Sequence, residues 1–202
     1  MKNSKFNGND YQVKISTPVG EAMWASLKEP KKWQPGDSGN YQMSLIVSKE
    51  EAADLISQCT GVIEKMVDLI QDNETGRPTM SPHDPWKETD DGKIEFRFKK
   101  PHFEANDKYP ASKPVPTYLP DGSKVDWENT EWSVGNGSTV QIGGFIRPYY
   151  VGTLGLGVSL RLAAVKVIEL KKFVAGNSDD FGFGSSASSE SSSSDEFSSA
   201  DF

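Results

Sequence analysis

Side chains able to do catalytic chemistry are scarce in this chain of 202 residues, whereas those able to grip an anion or stack on a flat ring recur. His83 and His102 are the only histidines. Neither has a cysteine or carboxylate cluster at metal-ligand spacing beside it, so both read as solvated loop residues. The single cysteine, Cys59, sits in a helical apolar pattern and reads as a buried core thiol rather than a nucleophile. Gly155-Leu156-Gly157 belongs to an alternating strand and opens no helix, which argues against a dinucleotide site. Neither a P-loop nor a strand-turn-helix nucleophile elbow occurs. The acids Asp84, Glu88, Asp90 and Asp91 leave one catalytic reading open, a small metal-dependent hydrolase, although an ordinary solvated loop has the same composition. No cofactor is called for.

Cations beside aromatic rings appear in three segments. Phe96-Arg97-Phe98-Lys99-Lys100-Pro101-His102-Phe103 interleaves them, Arg147-Pro148-Tyr149-Tyr150 sets a cation beside two tyrosines, and Lys31-Lys32-Trp33 does the same in a Pro/Gly loop. Unpaired nucleic acid is held by this combination: cations follow the phosphates, and exposed rings stack on the bases at roughly 1–3 kcal/mol each. The same rings would also stack on sugars. The candidates for phosphate contact are therefore Lys31, Lys32, Arg97, Lys99, Lys100, Arg147 and Arg161, the last on the polar phase of its strand. Trp33, Tyr149 and Tyr150 are the candidates for stacking.

These side chains must be carried by strands. Period-two alternation and turn chemistry predict strands over Tyr11–Ser16, Ala22–Leu27, Asn40–Val47, Lys93–Lys100, Val115–Leu119, Thr139–Arg147 and Leu154–Phe173, with turns at Asp91-Gly92, Asp121-Gly122 and Asn136-Gly137. In Lys93–Lys100 the phase of Ile94, Phe96 and Phe98 faces inward, and Lys93, Glu95, Arg97 and Lys99 are displayed. In the last strand an inward phase of Leu154, Leu156, Val158, Leu160 and Leu162 slips near Ala163-Ala164 to Val165 and Val167, which predicts a bulge or bend. Gly143-Gly144 offers a second bend. One helix is predicted after Ser48, with Ala52, Leu55, Ile56, Cys59, Ile63, Met66 and Ile70 on one face and Ser48 and Glu51 at capping-box spacing. Sharply bent strands with one helix between them favour a mainly β fold, a five- or six-stranded barrel of the oligonucleotide/oligosaccharide-binding (OB) kind.

The formal net charge of −7 is unevenly placed. Residues 177–202 hold six carboxylates and no Lys or Arg, which leaves 22 cations against 23 acids in residues 1–176. Within that body, segments 1–36, 93–113 and 140–172 are basic, while 37–92 and 114–139 are acidic. From Asn177 the chain is Ser, Gly and acid, too poor in aliphatic residues to offset the entropy of ordering, so a disordered tail is expected after an OB domain over 1–176. Asp179-Asp180-Phe181, Asp195-Glu196-Phe197 and Asp201-Phe202 punctuate it. A flexible polyanion bearing rings resembles single-stranded nucleic acid, so this tail is expected to compete for the groove when DNA is absent and to dock on other proteins once displaced. Asp195, Glu196, Phe197, Asp201 and Phe202 are its candidate partner-binding residues. Neither a signal peptide nor an apolar run of bilayer length is seen, so a soluble, intracellular protein is expected.

The order of these motifs resembles a known family. Gly39-Asn40-Tyr41-Gln42-Met43-Ser44-Leu45, the helix after it, Asp91-Gly92-Lys93-Ile94-Glu95-Phe96-Arg97-Phe98-Lys99, Pro148-Tyr149, Val158-Ser159-Leu160-Arg161-Leu162, Val167-Ile168-Glu169-Leu170 and the closing Asp201-Phe202 are similar to the single-stranded-DNA-binding proteins of short-tailed, T-seven-like bacteriophages. The resemblance covers most of the chain after Gly39. It implies an OB-fold protein in the cytoplasm of an infected bacterial host that coats single strands during replication, recombination and repair and anneals complementary ones. It also implies a tail that contacts the phage DNA polymerase and primase-helicase, and a homodimer formed through that tail. The family's stacking tyrosine maps onto Tyr149, whereas its second aromatic falls on Val151, with Tyr150 as a substitute. The alternative from the residues alone is a β-barrel module for protein or carbohydrate with a solubilising tail.

Overall fold

The computed structural model describes residues 7–73 and 78–174. Ten strands and one helix follow in the order β1 (Val13–Ser16), β2 (Gly20–Lys31), β3 (Asn40–Val47), α1 (Lys49–Asn73), β4 (Trp86–Glu88), β5 (Ile94–Pro101), β6 (Thr117–Tyr118), β7 (Trp132–Val134), β8 (Thr139–Val151), β9 (Gly155–Glu169) and β10 (Lys172–Val174). Five long strands close a barrel: β2 pairs β3, β3 pairs β5, β5 pairs β9, β9 pairs β8, and β8 returns to β2 through Gly20↔Val140 and Glu21↔Thr139. All of these pairings are antiparallel except β5 with β9, which run parallel at Phe98↔Leu160 and Lys99↔Arg161. The fold is thus mainly β, an OB-like barrel of five strands, with β1, β4 and β6 added along its edges and β7 and β10 forming a separate ribbon.

The phase slip in the last long strand is a bulge. Gly143 pairs with Ala164 and Gly144 with Leu162, which leaves Ala163 unpaired. The backbone approaches so closely there that a Cβ on Gly144 would lie 2.3 Å from the Arg161 carbonyl oxygen. Leu156, Val158, Leu160 and Leu162 before the bulge and Val165 and Val167 after it are all buried, so β9 serves both sides of the barrel. Leu154 is a correction: it precedes the strand and is 46% exposed. The stretch after Glu169 is another, because Lys171 breaks the strand where its N–H donates to Ser138 Oγ at 3.0 Å, and β10 then pairs with β7 instead. The strands β4 and β7, three residues each, are additional to those expected.

The helix starts as its capping box requires, with the Glu51 N–H donating to Ser48 Oγ at 3.2 Å and the Ser48 N–H donating to Glu51 Oε2 at 3.0 Å. It packs on β8 and β9. Ala52, Leu55, Cys59 and Val62 join the main core around Phe96, Phe98, Met43, Leu45 and Ile142, while Met66 and Ile70 form a second cluster with Leu156. Burial accounts for most of the rise of the Cys59 thiol pKa to about 12, and the charge of Asp84 adds to it, which suits the inert core role.

Candidate functional site

Alternation decides which side chains leave the barrel. On β3 the residues Tyr41, Met43, Leu45 and Val47 are buried and Gln42 and Ser44 face outward; on β5 the buried set is Ile94, Phe96 and Phe98, and Arg97 and Lys99 face outward. The register places Gln42 opposite Lys99 and Lys99 opposite Arg161, while Arg147 is opposite Ser159 and Tyr149 opposite Gly157. Neighbouring strands are about 4.8 Å apart. The cations Arg97, Lys99, Arg161 and Arg147, spread along the sequence, are thereby gathered on one outer face.

Two depressions shape that face. One, of about 340 Å³, is lined by Trp24, Lys31 and Trp33 together with Arg97 and Lys99. The other, of about 390 Å³, is lined by His83, Tyr149 and Arg161, again with Arg97 and Lys99. Their shared residues make them one groove crossing the barrel from β2 to β8. Rings stand at both of its ends and guanidinium and ammonium groups between.

Cations outnumber acids in the groove, whose lining also takes in Glu95 and Asp84. Arg161 is half-buried, and its Nε has neither solvent contact nor a hydrogen-bond partner. Burial first, and then the charge of Arg147, pull its guanidinium below the usual arginine range. Lys99 is exposed and has no acidic partner among the described residues. Arg97 is different. Its Nε lies 3.3 Å from Glu95 Oε1, and that carboxylate also accepts from Ser44 Oγ at 2.8 Å and pairs with Lys87 Nζ at 3.0 Å. Burial works to raise the Glu95 pKa, but the hydrogen bonds from Ser44, Lys87 and Arg97 together hold it below the usual carboxylate range. Glu95 was expected on the displayed face. It is instead 7% exposed, because partners on β3, β4 and β5 cover it.

At one end of the groove the Tyr149 hydroxyl is 2.9 Å from Ser81 Oγ, and a Cβ on Gly157 would fall 2.5 Å from Tyr149 Oη. Only glycine leaves room for this ring to lie across β9. At the other end Lys31 Nζ sits 4.4 Å from the centroid of Trp33, which is 65% exposed. Lys31 is the last residue of β2 rather than part of the loop; Lys32, which follows it, is exposed and does not line the groove.

Two candidates are not brought here. Lys100 shares the inward phase of Phe98, and its Nζ donates to the Lys113 carbonyl at 2.6 Å while lying 5.2 Å from the Tyr41 ring. Burial lowers its pKa. It closes one end of the barrel against the loop after β5, a loop also held by the contact of Ser112 Oγ with His102 Nδ1 at 3.1 Å, so His102 is half-buried rather than solvated. Tyr150 points away from Tyr149, as neighbours on a strand must, and packs on the Met66, Ile70 and Leu156 cluster under α1. Of the acids before β5, Glu88 pairs with Lys49 at 2.7 Å and Asp91 with Lys93 at 3.2 Å, while Asp84 lines the groove with Arg161. No group of three or more His, Cys, Asp or Glu is placed to hold a metal among the described residues. Asp195, Glu196, Phe197, Asp201 and Phe202 lie outside the described residues.

Trp24 was not among the expected site residues. Its indole is 60% exposed in the groove, and its backbone has φ 54°, a region that costs a residue other than glycine about 1–3 kcal/mol. The signal was present in the sequence: Ala22 and Leu27 are both buried yet five residues apart, an odd spacing that one regular strand does not allow. The pairing of β2 with β3 is accordingly irregular between Met23 and Ser26.

The sequence matches no protein-family model and no curated protein. The fold is shared with solved structures. The crystal structure of gp2.5, a single-stranded DNA binding protein encoded by bacteriophage T7, superposes with a TM-score of 0.65 at 19% identity over 90% of this chain and 100% of that one. The single-stranded DNA-binding protein from bacteriophage Enc34 in complex with ssDNA gives 0.55 at 16% identity over 83% of this chain and 90% of that one. The same Enc34 protein in a separate structure gives 0.54 at 16% identity, covering 86% and 90%.

Proposed function

We propose that this protein binds single-stranded DNA, with little dependence on sequence, in the groove that crosses the barrel from β2 to β8. The observation that carries the reading is a row of cations in which Lys99 and Arg161 have no ion-pair partner among the described residues, set between the exposed Trp24 and Trp33 at one end and the half-buried Tyr149 at the other. Arg161 holds a buried nitrogen that a phosphate oxygen would satisfy, and Arg147 beside it calls for the same negative charge. Phosphates are present in every nucleotide and a π-face in every base, so tolerance of sequence follows from the means of recognition. The likeness in fold to two phage proteins described as single-stranded-DNA-binding, one of them solved with ssDNA, supports the same assignment.

Within this reading Lys31, Arg97, Lys99, Arg147 and Arg161 contact phosphates, and Trp33 and Tyr149 stack on bases. Lys32 adds charge from the adjoining loop, while Lys100 and Tyr150 act through packing. The protein works in phage replication, recombination and repair in the cytoplasm of the infected host, covering and annealing single strands. The acidic tail docks Asp195, Glu196, Phe197, Asp201 and Phe202 on the phage polymerase and primase-helicase, supports a homodimer, and occupies the groove in the absence of DNA.

One titration tests the core of this: fluorescent oligo-dT against the intact chain and a 1–176 truncation, each at two salt concentrations. The expected result is binding that weakens steeply with salt and is tighter for the truncation, since six carboxylates no longer compete. No binding, or binding indifferent to salt, refutes the DNA reading. Equal affinity of the two chains at both salts refutes the competition by the tail.

A further inference from the structure

We propose that Trp24 is a base-stacking residue, and that Asn136 is the residue that positions it. This rests on the DNA reading and extends it to side chains that neither composition nor the family resemblance singled out.

The bulge that presents Trp24 is fastened from outside its own strand. The turn at Asn136-Gly137 lies against it, and the Trp24 N–H donates to Asn136 Oδ1 at 2.8 Å. On the same side the Gly137 N–H donates to the Ala22 carbonyl at 2.9 Å, and the Ala22 N–H donates to the Ser138 carbonyl at 2.8 Å. Gly137 itself has φ 81°, so the turn that makes these bonds depends on a glycine. Three hydrogen bonds thus hold a tryptophan in a backbone conformation that disfavours it. Packing gives no reason for the arrangement: the residues on either side serve the core, with Ala22 fully buried and Ala25 packed against it, while the Trp24 indole has no hydrogen-bond, ring or cation partner among the described residues. A large ring kept exposed on a strained, externally braced backbone marks a contact surface, and the surface it faces is the groove. Trp33 across that depression already has Lys31 over one face, whereas both faces of Trp24 are free of such a cation.

The two indoles therefore form a stacking station at the β2 end of the groove, distinct from Tyr149 at the β8 end, with the phosphate cations between. Over the curved barrel surface, three strand spacings, about 14 Å, separate β2 from β9, across which the Tyr149 ring lies. At the 3.4 Å rise of stacked nucleotides that spans roughly four, so a hexamer reaches both ends.

The experiment is a set of dT hexamers, each intact or carrying an abasic residue at one position in turn, titrated against the full chain and its variants. A stack contributes roughly 1–3 kcal/mol, so an abasic site opposite a stacking ring is expected to weaken binding by about 5- to 140-fold in the wild type. In Trp24→Gly one of those penalties should shrink to less than about 2-fold, while a different position should lose its penalty in Tyr149→Ala. Glycine suits the φ of this position, so the Trp24→Gly protein should melt no lower than the wild type, which separates lost contact from lost fold. Asn136→Ala should reduce the same penalty as Trp24→Gly, and Asn136→Asp, which keeps the acceptor oxygen, should restore it. An unchanged pattern of penalties in Trp24→Gly, with intact dT bound as by the wild type, overturns the proposal and leaves the DNA reading standing. Failure of the wild type to bind any hexamer or longer oligo-dT overturns both. A penalty lost in Asn136→Ala and not restored in Asn136→Asp removes Asn136 from its positioning role.

Discussion

Replacing Arg161 with methionine should strengthen the free protein and weaken its hold on DNA, because one buried atom serves the two states oppositely. In the free protein its Nε has no partner and no water. A buried polar group left unsatisfied costs about 1–3 kcal/mol. Methionine keeps an apolar stem of similar reach and removes both that cost and the repulsion from Arg147, so unfolding free energy should rise by about 1 kcal/mol, or about 2–4 °C in a domain of this size. The loss on DNA is read from salt. Five cations are assigned to phosphates: Lys31, Arg97, Lys99 and Arg161, which line the groove, and Arg147, which stands beside Arg161. With a slope near −0.7 per neutralised phosphate on single strands, raising salt from 50 to 200 mM should lower affinity about 130-fold in the wild type and about 50-fold in Arg161→Met. Fluorescence anisotropy of labelled oligo-dT at four salt concentrations gives the slope, and thermal unfolding without DNA gives the stability. An unchanged slope would show that Arg161 does not meet a phosphate, and a variant less stable than the wild type would show that its Nε is satisfied in the free protein.

Three further substitutions or treatments probe other parts of the site and core. Glu95→Gln should steepen the salt slope, by up to about 0.7, since Arg97 is released from its carboxylate. The folded pKa of Glu95 lies below its unfolded value, so the stability it contributes is present above the usual carboxylate range and is lost as pH falls through it. Chemical denaturation at pH 7 and pH 3 should therefore show the wild type losing its advantage over Glu95→Gln on the acid side, and a gap independent of pH would refute this. Gly157→Ala should push the Tyr149 ring away, given the 2.5 Å approach to its Oη, and weaken oligo-dT binding about 5- to 140-fold with little change in slope; a slope change without an affinity loss would count against stacking by Tyr149. Cys59, its thiol raised to about 12 and fully buried, should resist a disulfide reagent at pH 8 in the native protein and react within the dead time once unfolded. Fast native labelling would contradict its place in the core.

The legible parts of this fold are those set by neighbours along the chain. The helix and its cap, the turn at Asn136-Gly137 and the bulge near Ala163 all follow from local period and residue type. Parity would also have removed two site candidates. Lys100 is two residues beyond Phe98 and so shares its inward phase, and Tyr150 must oppose Tyr149, but clusters of cations and rings read as composition conceal which face each member takes. Glu95 marks the limit of parity. Its outward phase is as expected, yet Ser44 and Lys87 come from other strands to bury it, which no local pattern contains. The parallel contact of β5 with β9 rests on two residue pairs more than sixty positions apart, although it is what brings Lys99 beside Arg161.

That contact also resolves how a body with one more acid than cations can hold a polyanion. The acids Glu50, Glu51, Asp54, Glu64 and Asp68 sit at exposed positions of α1, and none of them lines the groove. At 0.15 M salt the Debye length is about 8 Å, so charges beyond the groove are largely screened and those lining it, the gathered cations with Glu95 and Asp84, decide the binding. At 0.01 M it grows to about 30 Å, comparable with the domain itself, and the acids of α1 are then felt by the incoming strand. The plot of log affinity against log salt should therefore be straight at moderate salt and flatten toward 10 mM. A strongly basic binding surface with no acids elsewhere would keep rising. A straight line down to 10 mM would mean that the acids of α1 are shielded from the groove even at low salt, and that sorting charge by segment has no energetic consequence for binding.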